Sequence, residues 1–239
     1  MSHFELQPDL SERVHDALLD SICSGALAPG ERVTQEGLAA RFGVSRQPVL
    51  QALMLLKRQG FVVDAGRKGV AVAPLQAEQV RQLYEVRAAL DGAAARAAAG
   101  RFDTALAERG AAVMAAGRAA IDSGDTVGLI AADVDFHLFI YDASGNPLFS
   151  ETAAPHWRHL RRVMGAVLRD RSAYETVWDE HAAILQALVA RDAARAEALV
   201  RAHAADAAAR LATSLEATIA PNVHSAPPGA PQAITRRNA

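Results

Sequence analysis

Aromatic residues are scarce in this 239-residue chain, at 5% of the sequence, although 51% of its residues are hydrophobic. Alanine fills much of the difference, in runs such as Ala93-Ala94-Ala95. Because alanine is the best helix former, this composition argues against an all-β protein. The length suits one large domain or two small ones.

Cysteine and long apolar runs are also nearly absent. The single cysteine, Cys23, excludes an internal disulfide framework and is typical of a reducing compartment. The chain opens without a basic and apolar leader, and no apolar stretch approaches the length needed to span a bilayer. We therefore expect a soluble, cytoplasmic protein with no membrane partner.

The distribution of turn-forming residues divides the chain into parts that differ in composition. Most turn signals lie in the first third, whereas long patterns rich in alanine, leucine and arginine run from Gln76 to about Ile219. Pro74 can neither continue a strand ladder nor sit inside a helix, so it marks the hinge. Short connections divide the second part into about six helices, which predicts an antiparallel bundle. The expected units are residues 1–73, residues 76–219 and a disordered, proline-rich tail at 220–239.

The first part is predicted to form three helices and a hairpin. Apolar positions at helical spacing, each run ending near a glycine, predict helices at residues 10–24, 35–41 and 45–59. Two short β-like runs, 61–63 and 70–72, flank a glycine-rich tip. Helix, short helix, tight turn, helix and hairpin together describe a winged helix-turn-helix.

The first turn of the third helix and the tip of the hairpin are candidates for contact with DNA. In such folds the first turn enters the major groove, while the wing holds phosphates. Arg46 could bond a guanine edge, Gln47 an adenine edge and Ser45 a phosphate. Residues 41–68 contain six basic side chains against Asp64 alone, so a nearly neutral chain can present a basic edge. The alternative is a winged helix used for protein contact. The candidate DNA-binding residues are Arg41, Ser45, Arg46, Gln47, Arg67 and Lys68.

Three segments of the first part carry a family resemblance: Gly25-Ala-Leu-Ala-Pro-Gly-Glu-Arg-Val, Leu38-Ala-Ala-Arg-Phe-Gly-Val-Ser-Arg-Gln-Pro-Val and Ala52-Leu. They resemble the DNA-binding domain of the GntR superfamily of bacterial transcription regulators. The resemblance implies that the first turn of the third helix lies at the operator and that the wing tip reaches the adjacent groove. Leu50 departs from the pattern, because the family usually carries an arginine there that touches DNA. This departure leaves the operator sequence and affinity open.

The second part contains a constellation of potential metal ligands. Asp133 and His137 are four residues apart, so both side chains lie on one helical face. His181 and His203 fall on two later helices, among leucine, isoleucine and valine. One carboxylate and three imidazoles make a site for a divalent ion, zinc first, with nickel, manganese or iron as other candidates. Each histidine alone is more often a structural residue, and an Asp-x-x-x-His pair is commonly a helical ion pair.

A second resemblance covers about residues 76–215. It is carried by Tyr84-Glu-Val-Arg87, Asp133-x-x-x-His137, Ser144-Gly-Asn146, Glu180-His181-Ala-Ala-Ile-Leu and His203. The pattern resembles the FCD ligand-binding domain, which defines the FadR-type branch of the GntR superfamily. Metal-binding members of that branch carry one Asp and three His at the matching positions, and a small carboxylate effector commonly completes the coordination of the ion.

Two arginines are candidates for binding that effector. The resemblance implies that Arg87 points into the pocket, where it can clamp a carboxylate; the alternative is a helical ion pair with Asp91. Arg161 lies on an apolar helical stripe and is the weaker candidate. His156 and His159 fall in a run of arginines and are expected on a solvated face.

The sequence therefore predicts a mainly α, homodimeric, ligand-responsive transcription regulator. We expect a repressor that binds a palindromic DNA operator and senses a small carboxylic acid at a metal-containing pocket. Enzymatic activity is not expected, since no convincing general base or nucleophile accompanies the metal ligands. One alternative is a regulator whose metal is purely structural or is itself the signal, and another is a metal-dependent hydrolase.

Overall fold

The computed structural model describes residues 9–66, 69–168 and 172–219, and it describes the side chains of all of these except residues 172 and 173. Arg67, Lys68 and the predicted tail at 220–239 lie outside the described residues. A winged helix-turn-helix comes first and an all-helical domain follows, which confirms the predicted mainly α fold. Within the described residues, none of the helices has an apolar stretch sufficient to traverse a bilayer.

The winged domain combines three helices with a small sheet. Its elements are α1 (Leu10–Cys23), β1 (Arg32–Val33), α2 (Gln35–Phe42), α3 (Arg46–Arg58), β2 (Val62–Asp64) and β3 (Val70–Val72). β3 is the central strand and pairs antiparallel with both neighbours. The sequence pattern does not predict β1, because two residues are too few to show the alternation of a strand. β1 is recognised in the structure by its antiparallel pairing with β3, in which Arg32 lies opposite Ala71.

The connection between α2 and α3 is a tight turn that presents the start of α3 to solvent. Gly43 ends α2 with φ 65°, a left-handed conformation that glycine adopts without strain. Ser45 is the N-cap residue of α3, but its hydroxyl makes no capping hydrogen bond. The hydroxyl is therefore not used by the helix that it precedes. Behind the turn, Val49 and Leu56 are fully buried and fasten α3 to the core of the winged domain.

The helical domain contains the six helices that the sequence predicts. They are α4 (Ala77–Arg101), α5 (Thr104–Ser123), α6 (Thr126–Ser144), α7 (Leu148–Val167), α8 (Ser172–Val189) and α9 (Ala193–Ile219). α4 packs along α9, while α6 packs against α4, α5 and α7, and α8 packs against α4, α5 and α9. The ends of α5 and α6 are defined by glycines in the left-handed conformation, Gly124 and Gly145.

Alanine accounts for the packing of α4 against α9. Ala94 and Ala98 on α4 and Ala196 and Ala204 on α9 are all fully buried. Small side chains let two helix axes approach closely, because interaxial distance follows the size of the residues at the contact. The alanine content of the sequence therefore serves the close contact between these two helices.

α7 connects the helical domain to the winged domain. Arg162 donates a hydrogen bond to the carbonyl oxygen of Ala73, next to Pro74. The His159 ring stacks on Phe61 with 4.1 Å between ring centroids, and its Nε2 lies 2.9 Å from the carbonyl oxygen of Gln59. The expectation that His159 lies on a solvated face is therefore wrong. The periodicity of α7 alone could not show it, because the covering residues come from another domain.

A glycine on α5 leaves space for a side chain that supports the centre of the helical domain. A Cβ atom on Gly117 would lie 1.5 Å from Cζ2 of Trp178. We expect Gly117→Ala to destabilise the protein by about 1–3 kcal/mol, because the rigid indole ring has to move. The melting temperature should fall by roughly 2–4 °C per kcal/mol in thermal unfolding followed by circular dichroism.

Gly100→Ala provides the matched control, since a Cβ on Gly100 meets nothing within 4 Å. This substitution should leave the melting temperature unchanged or raise it, because alanine is the better helix former. Equal melting temperatures for Gly117→Ala and the native protein would contradict the packing described for Trp178.

Candidate metal centre and DNA-binding surface

Three helices bring four potential metal ligands to the centre of the helical domain. Asp133 and His137 lie one turn apart on α6, His181 lies on α8 and His203 on α9. All four are buried, and Asp133 is the most exposed at 8%. One ligand atom from each residue lies within 4.8 Å of those of the others. The structure thus brings together the whole set that the sequence analysis proposed.

The spacing of these atoms suits a single cation. His181 Nε2 lies 3.3 Å from His203 Nε2 and 3.6 Å from Asp133 Oδ1. Ligands arranged as a tetrahedron at the usual zinc distances, roughly 2.0–2.1 Å, are about 3.3–3.4 Å apart. The donor set and its distances therefore fit a divalent ion.

Burial favours the neutral, metal-binding form of two imidazoles of this cluster, those of His137 and His181. It lowers the pKa of His137 to about 4, and the charge of Arg87 acts in the same direction. Burial also lowers the pKa of His181 well below its ordinary value, assisted by the neighbouring His203. Metal ligation requires neutral imidazole. Protons therefore compete weakly for these nitrogens near neutral pH.

His203 is supported by an ion pair that the sequence analysis did not identify. His203 Nδ1 lies 2.6 Å from Glu180 Oε2, and the Arg210 guanidinium donates to both oxygens of Glu180 at 3.0 Å. Burial raises the pKa of Glu180, but the hydrogen bonds from His203 and Arg210 outweigh it and lower the pKa to about 2. An ionised carboxylate at Nδ1 favours the tautomer whose Nε2 is free for a metal. The available signals were the adjacency of Glu180 to His181 and the position of Arg210, two helical turns after His203.

A second buried ion pair lies behind His137. Arg87 Nη2 is 2.8 Å from Asp91 Oδ2, and both side chains are 1% exposed. Asp91 Oδ2 lies 3.4 Å from His137 Nδ1, and Arg87 Cζ lies 3.8 Å from the centroid of the Trp157 ring. Burial raises the pKa of the Asp91 carboxyl, but the Arg87 guanidinium outweighs it and holds that pKa well below its usual range. The structure therefore shows the helical ion pair that the sequence left as the alternative for Arg87.

A cavity of about 90 Å³ lies beside the metal-type cluster. Because roughly 10–15 Å³ is enough for one water, it has room for a small organic molecule. Asp133, His203 and Arg210 contribute polar groups to its wall. Most of the remaining wall is apolar and includes Leu129, Ile130, Met164, Val167, Trp178 and Leu211.

The predicted effector arginines occupy different places from those expected. Arg161 is exposed on α7 and does not line the cavity, so its assignment to the pocket is corrected. The buried face of α7 is centred on Leu160 and Met164, and Arg161 falls at the edge of that face. Arg87 is buried but committed to Asp91, and among the described residues Arg210 is the arginine that reaches the cavity.

The candidate DNA-binding side chains that the structure describes share one exposed surface. Arg41, Ser45, Arg46 and Gln47 are all exposed around the turn between α2 and α3. Arg46 Nη2 lies 2.8 Å from Glu36 Oε1, with both side chains 68% exposed. Such a surface ion pair contributes little free energy, so Arg46 can exchange this partner for another anion. Arg67 and Lys68 lie outside the described residues.

The fold defines a winged-helix domain joined to an all-helical domain that carries a buried cluster of potential metal ligands. Comparison with known families identifies each of the two domains. The family described as "Bacterial regulatory proteins, gntR family" matches residues 10–72. The FCD domain matches residues 82–206, which is more than half of the chain. The chain therefore belongs to the GntR family of transcription regulators, in the branch with an FCD domain.

Individual relatives agree with this membership. The chain is 31% identical over 206 residues to the transcriptional regulator LutR of Bacillus subtilis, an alignment that covers 76% of this chain and 92% of LutR. It is 35% identical over 77 residues to YdhC, an uncharacterised regulator of the same organism, but that alignment covers only 32% of this chain and 34% of YdhC. The solved structure of McbR/YncC from E. coli has a TM-score of 0.72 at 21% identity, covering 87% of this chain and 99% of that one, and it supports the fold alone. These families and relatives are transcription regulators, not enzymes.

Removal of one proposed ligand tests whether the cluster holds metal. We expect the native protein, purified without chelator, to retain about one divalent ion per chain by inductively coupled plasma mass spectrometry, and His181→Ala to lose it. Chelation should lower the melting temperature of the native protein, because an ion that binds only the folded state stabilises it.

His156→Ala is the matched control, because His156 lies in the helical domain but outside the cluster. It should retain both the ion and the sensitivity of the melting temperature to chelation. A full complement of ion in His181→Ala would contradict the assignment of these ligands.

Proposed function

We propose that the protein is a repressor that binds a palindromic operator as a homodimer and releases it when a small carboxylate occupies the helical domain. Four buried ligand atoms next to a cavity are the observation that carries the proposal. Asp133, His137, His181 and His203 would hold the ion, with zinc first and nickel, manganese or iron as other fits to the same donors. When bound, the ion would supply a positively charged coordination position that attracts an anion.

Charge balance around the cluster supports an anionic effector. In the Arg87–Asp91 pair and in the Glu180–Arg210 pair, the positive and the negative charge cancel each other. Asp133 is then the one carboxylate of the set, so it cannot neutralise a divalent cation alone. A single carboxylate group of an effector would complete the neutralisation in a region that excludes water.

The cavity wall supports a small acid with an apolar body. Asp133 and His203 lie on its wall together with apolar side chains of α6, α7 and α9. A molecule with its carboxylate at the cluster would place its remainder against Met164, Val167 and Leu211. Apolar contact favours such a body over a heavily hydroxylated one, because hydroxyl groups without partners lose hydrogen bonds with water.

α7 offers a route from the cavity to the winged domain. Its C-terminal half contributes Met164 and Val167 to the cavity wall. The same helix contacts the winged domain through His159 and Arg162. An effector that shifts this helix would change the relation of the two domains, and a coupling of about 1–3 kcal/mol changes operator affinity roughly 5- to 150-fold.

The winged domain supports operator binding by its exposed first turn of α3. Two copies related by a twofold axis would place two such helices in successive major grooves, which corresponds to a palindromic site. Within each half-site, Arg46 is suited to guanine and Gln47 to adenine. The Ser45 hydroxyl, which does not cap α3, is suited to a phosphate oxygen.

A panel of short carboxylic acids and their uncharged amides tests the proposed binding of an effector by the helical domain. Calorimetry on the metal-loaded protein should detect binding of an acid but not of its amide. The same acid should weaken binding to an operator selected from a random duplex library, by roughly 5- to 150-fold in fluorescence anisotropy. His159→Ala should bind the acid normally yet lose most of its effect on DNA, whereas His156→Ala should keep both.

The other outcomes identify the alternatives. If no acid binds but chelation alone changes operator affinity, the metal itself is the signal. If neither acid nor chelator changes operator affinity while chelation still lowers the melting temperature, the metal is structural.

Truncation of Arg46 tests the DNA-binding half. Arg46→Ala should weaken binding to the selected operator by about 10- to 100-fold, because a bidentate contact with guanine is lost. Arg96→Ala is the control, since Arg96 is exposed on the helical domain, and it should bind the operator like the native protein. Retained specific binding by Arg46→Ala, measured by anisotropy and footprinting, would count against the proposed orientation of α3.

A further inference from the structure

The outward face of α3 carries two apolar side chains where a solvated helix would carry polar ones. Met54 is 61% exposed and Leu50 is half-buried. Arg46, Leu50 and Met54 are spaced four residues apart, so they follow one another along the same side of the helix. The side chain that begins this row is the arginine proposed for base contact.

The part of the chain that the structure describes covers Leu50 only in part and leaves Met54 largely exposed. Among the described residues, neither Leu50 nor Met54 packs in the hydrophobic core of the winged domain. Neighbouring polar residues of α3 are engaged elsewhere: Gln51 accepts a hydrogen bond from Ser11, and Lys57 pairs with Asp64. Among the described residues, the apolar pair is therefore the part of this face that lies outside the core of the winged domain and is not held by a polar contact.

The charges around the pair indicate the kind of partner. Exposed arginines flank it, with Arg41 and Arg46 at one end and Arg58 at the other. Protein interfaces exclude charged residues from their centre, whereas DNA attracts a basic rim and admits an α-helix into its major groove. The C5 methyl group of thymine is the apolar group that the major groove displays.

We propose that Leu50 and Met54 read thymine by contact with its C5 methyl groups, next to the base pair that Arg46 contacts. This inference rests on the proposed insertion of α3 into the major groove. It makes thymine in each half-site a requirement set by apolar contact rather than by a hydrogen bond. The two residues are thus specificity-determining residues of this regulator.

Replacement of thymine by uracil tests the inference, because uracil lacks only the methyl group. The full-length protein is first used to select its site from a random duplex library, and each dT of the enriched site is then replaced by dU in turn. We expect one or two positions per half-site at which dU weakens binding by about fourfold, the effect of one methyl group in an apolar contact. The remaining positions should tolerate dU.

Met54→Ala identifies the side chain that makes the contact. This variant should lose the difference between dT and dU at one of those positions, and it should keep the native dependence of affinity on salt, because no phosphate contact changes. Leu50→Ala should lose the difference at the other position. Val127→Ala, which alters an 80% exposed side chain of the helical domain, should retain every difference.

Two results would overturn the inference in distinguishable ways. Equal affinity for dT and dU duplexes at every position of an enriched site would refute thymine reading while leaving operator binding intact. Failure to enrich any site would refute the proposed function and the inference together. Persistence of the native dT preference in both Met54→Ala and Leu50→Ala would assign it to other residues and so also contradict the proposal.

Discussion

The burial of one carboxylate and three imidazoles at a single point is the constraint on which the helical domain depends. His137, His181 and His203 are each at most 4% exposed, and polar groups removed from water are costly unless they gain partners. Two ion pairs provide that support, one behind His137 and one behind His203. Because these groups come from α4, α6, α8 and α9, the position of each helix is set by polar geometry as well as by apolar packing.

The helices that hold this cluster, α6, α8 and α9, form the wall of the cavity together with α7, and α7 also contacts the winged domain. α7 contributes side chains to the cavity and, through His159 and Arg162, contacts to the winged domain. A binding event can change DNA affinity only through differential affinity for two domain arrangements. A helix that belongs to both contact surfaces is a physical means of producing that difference. The proposed sensing and reading functions are therefore linked by one element.

The surface of the winged domain around α3 carries both charged and apolar side chains. The chain is nearly neutral overall, yet arginines surround the start of α3, where Arg46 is held by Glu36 in an exposed ion pair. Electrostatic attraction of this kind brings a protein to DNA without regard to sequence. Selectivity has to come from the side chains within the groove, and the proposed thymine contacts of Leu50 and Met54 would add an apolar element to the polar set.

Local pattern was sufficient for the helices, the turn at Gly43 and the placement of Asp133 and His137 on one helical face, because these depend on spacing along a single element. The sequence suggested His181 and His203 as further ligands of the same site and the family resemblance supported them, although spacing alone could not show that three helices converge. The tertiary structure decided the rest. Arg161 faces solvent, His159 is covered by Phe61, Arg87 is bound to Asp91, and Arg210 reaches the cavity while holding Glu180. These features depend on the rotation of each helix about its axis and on partners far away in the chain. Periodicity places a residue on a face, but only the packing of that face against other elements determines what the residue contacts.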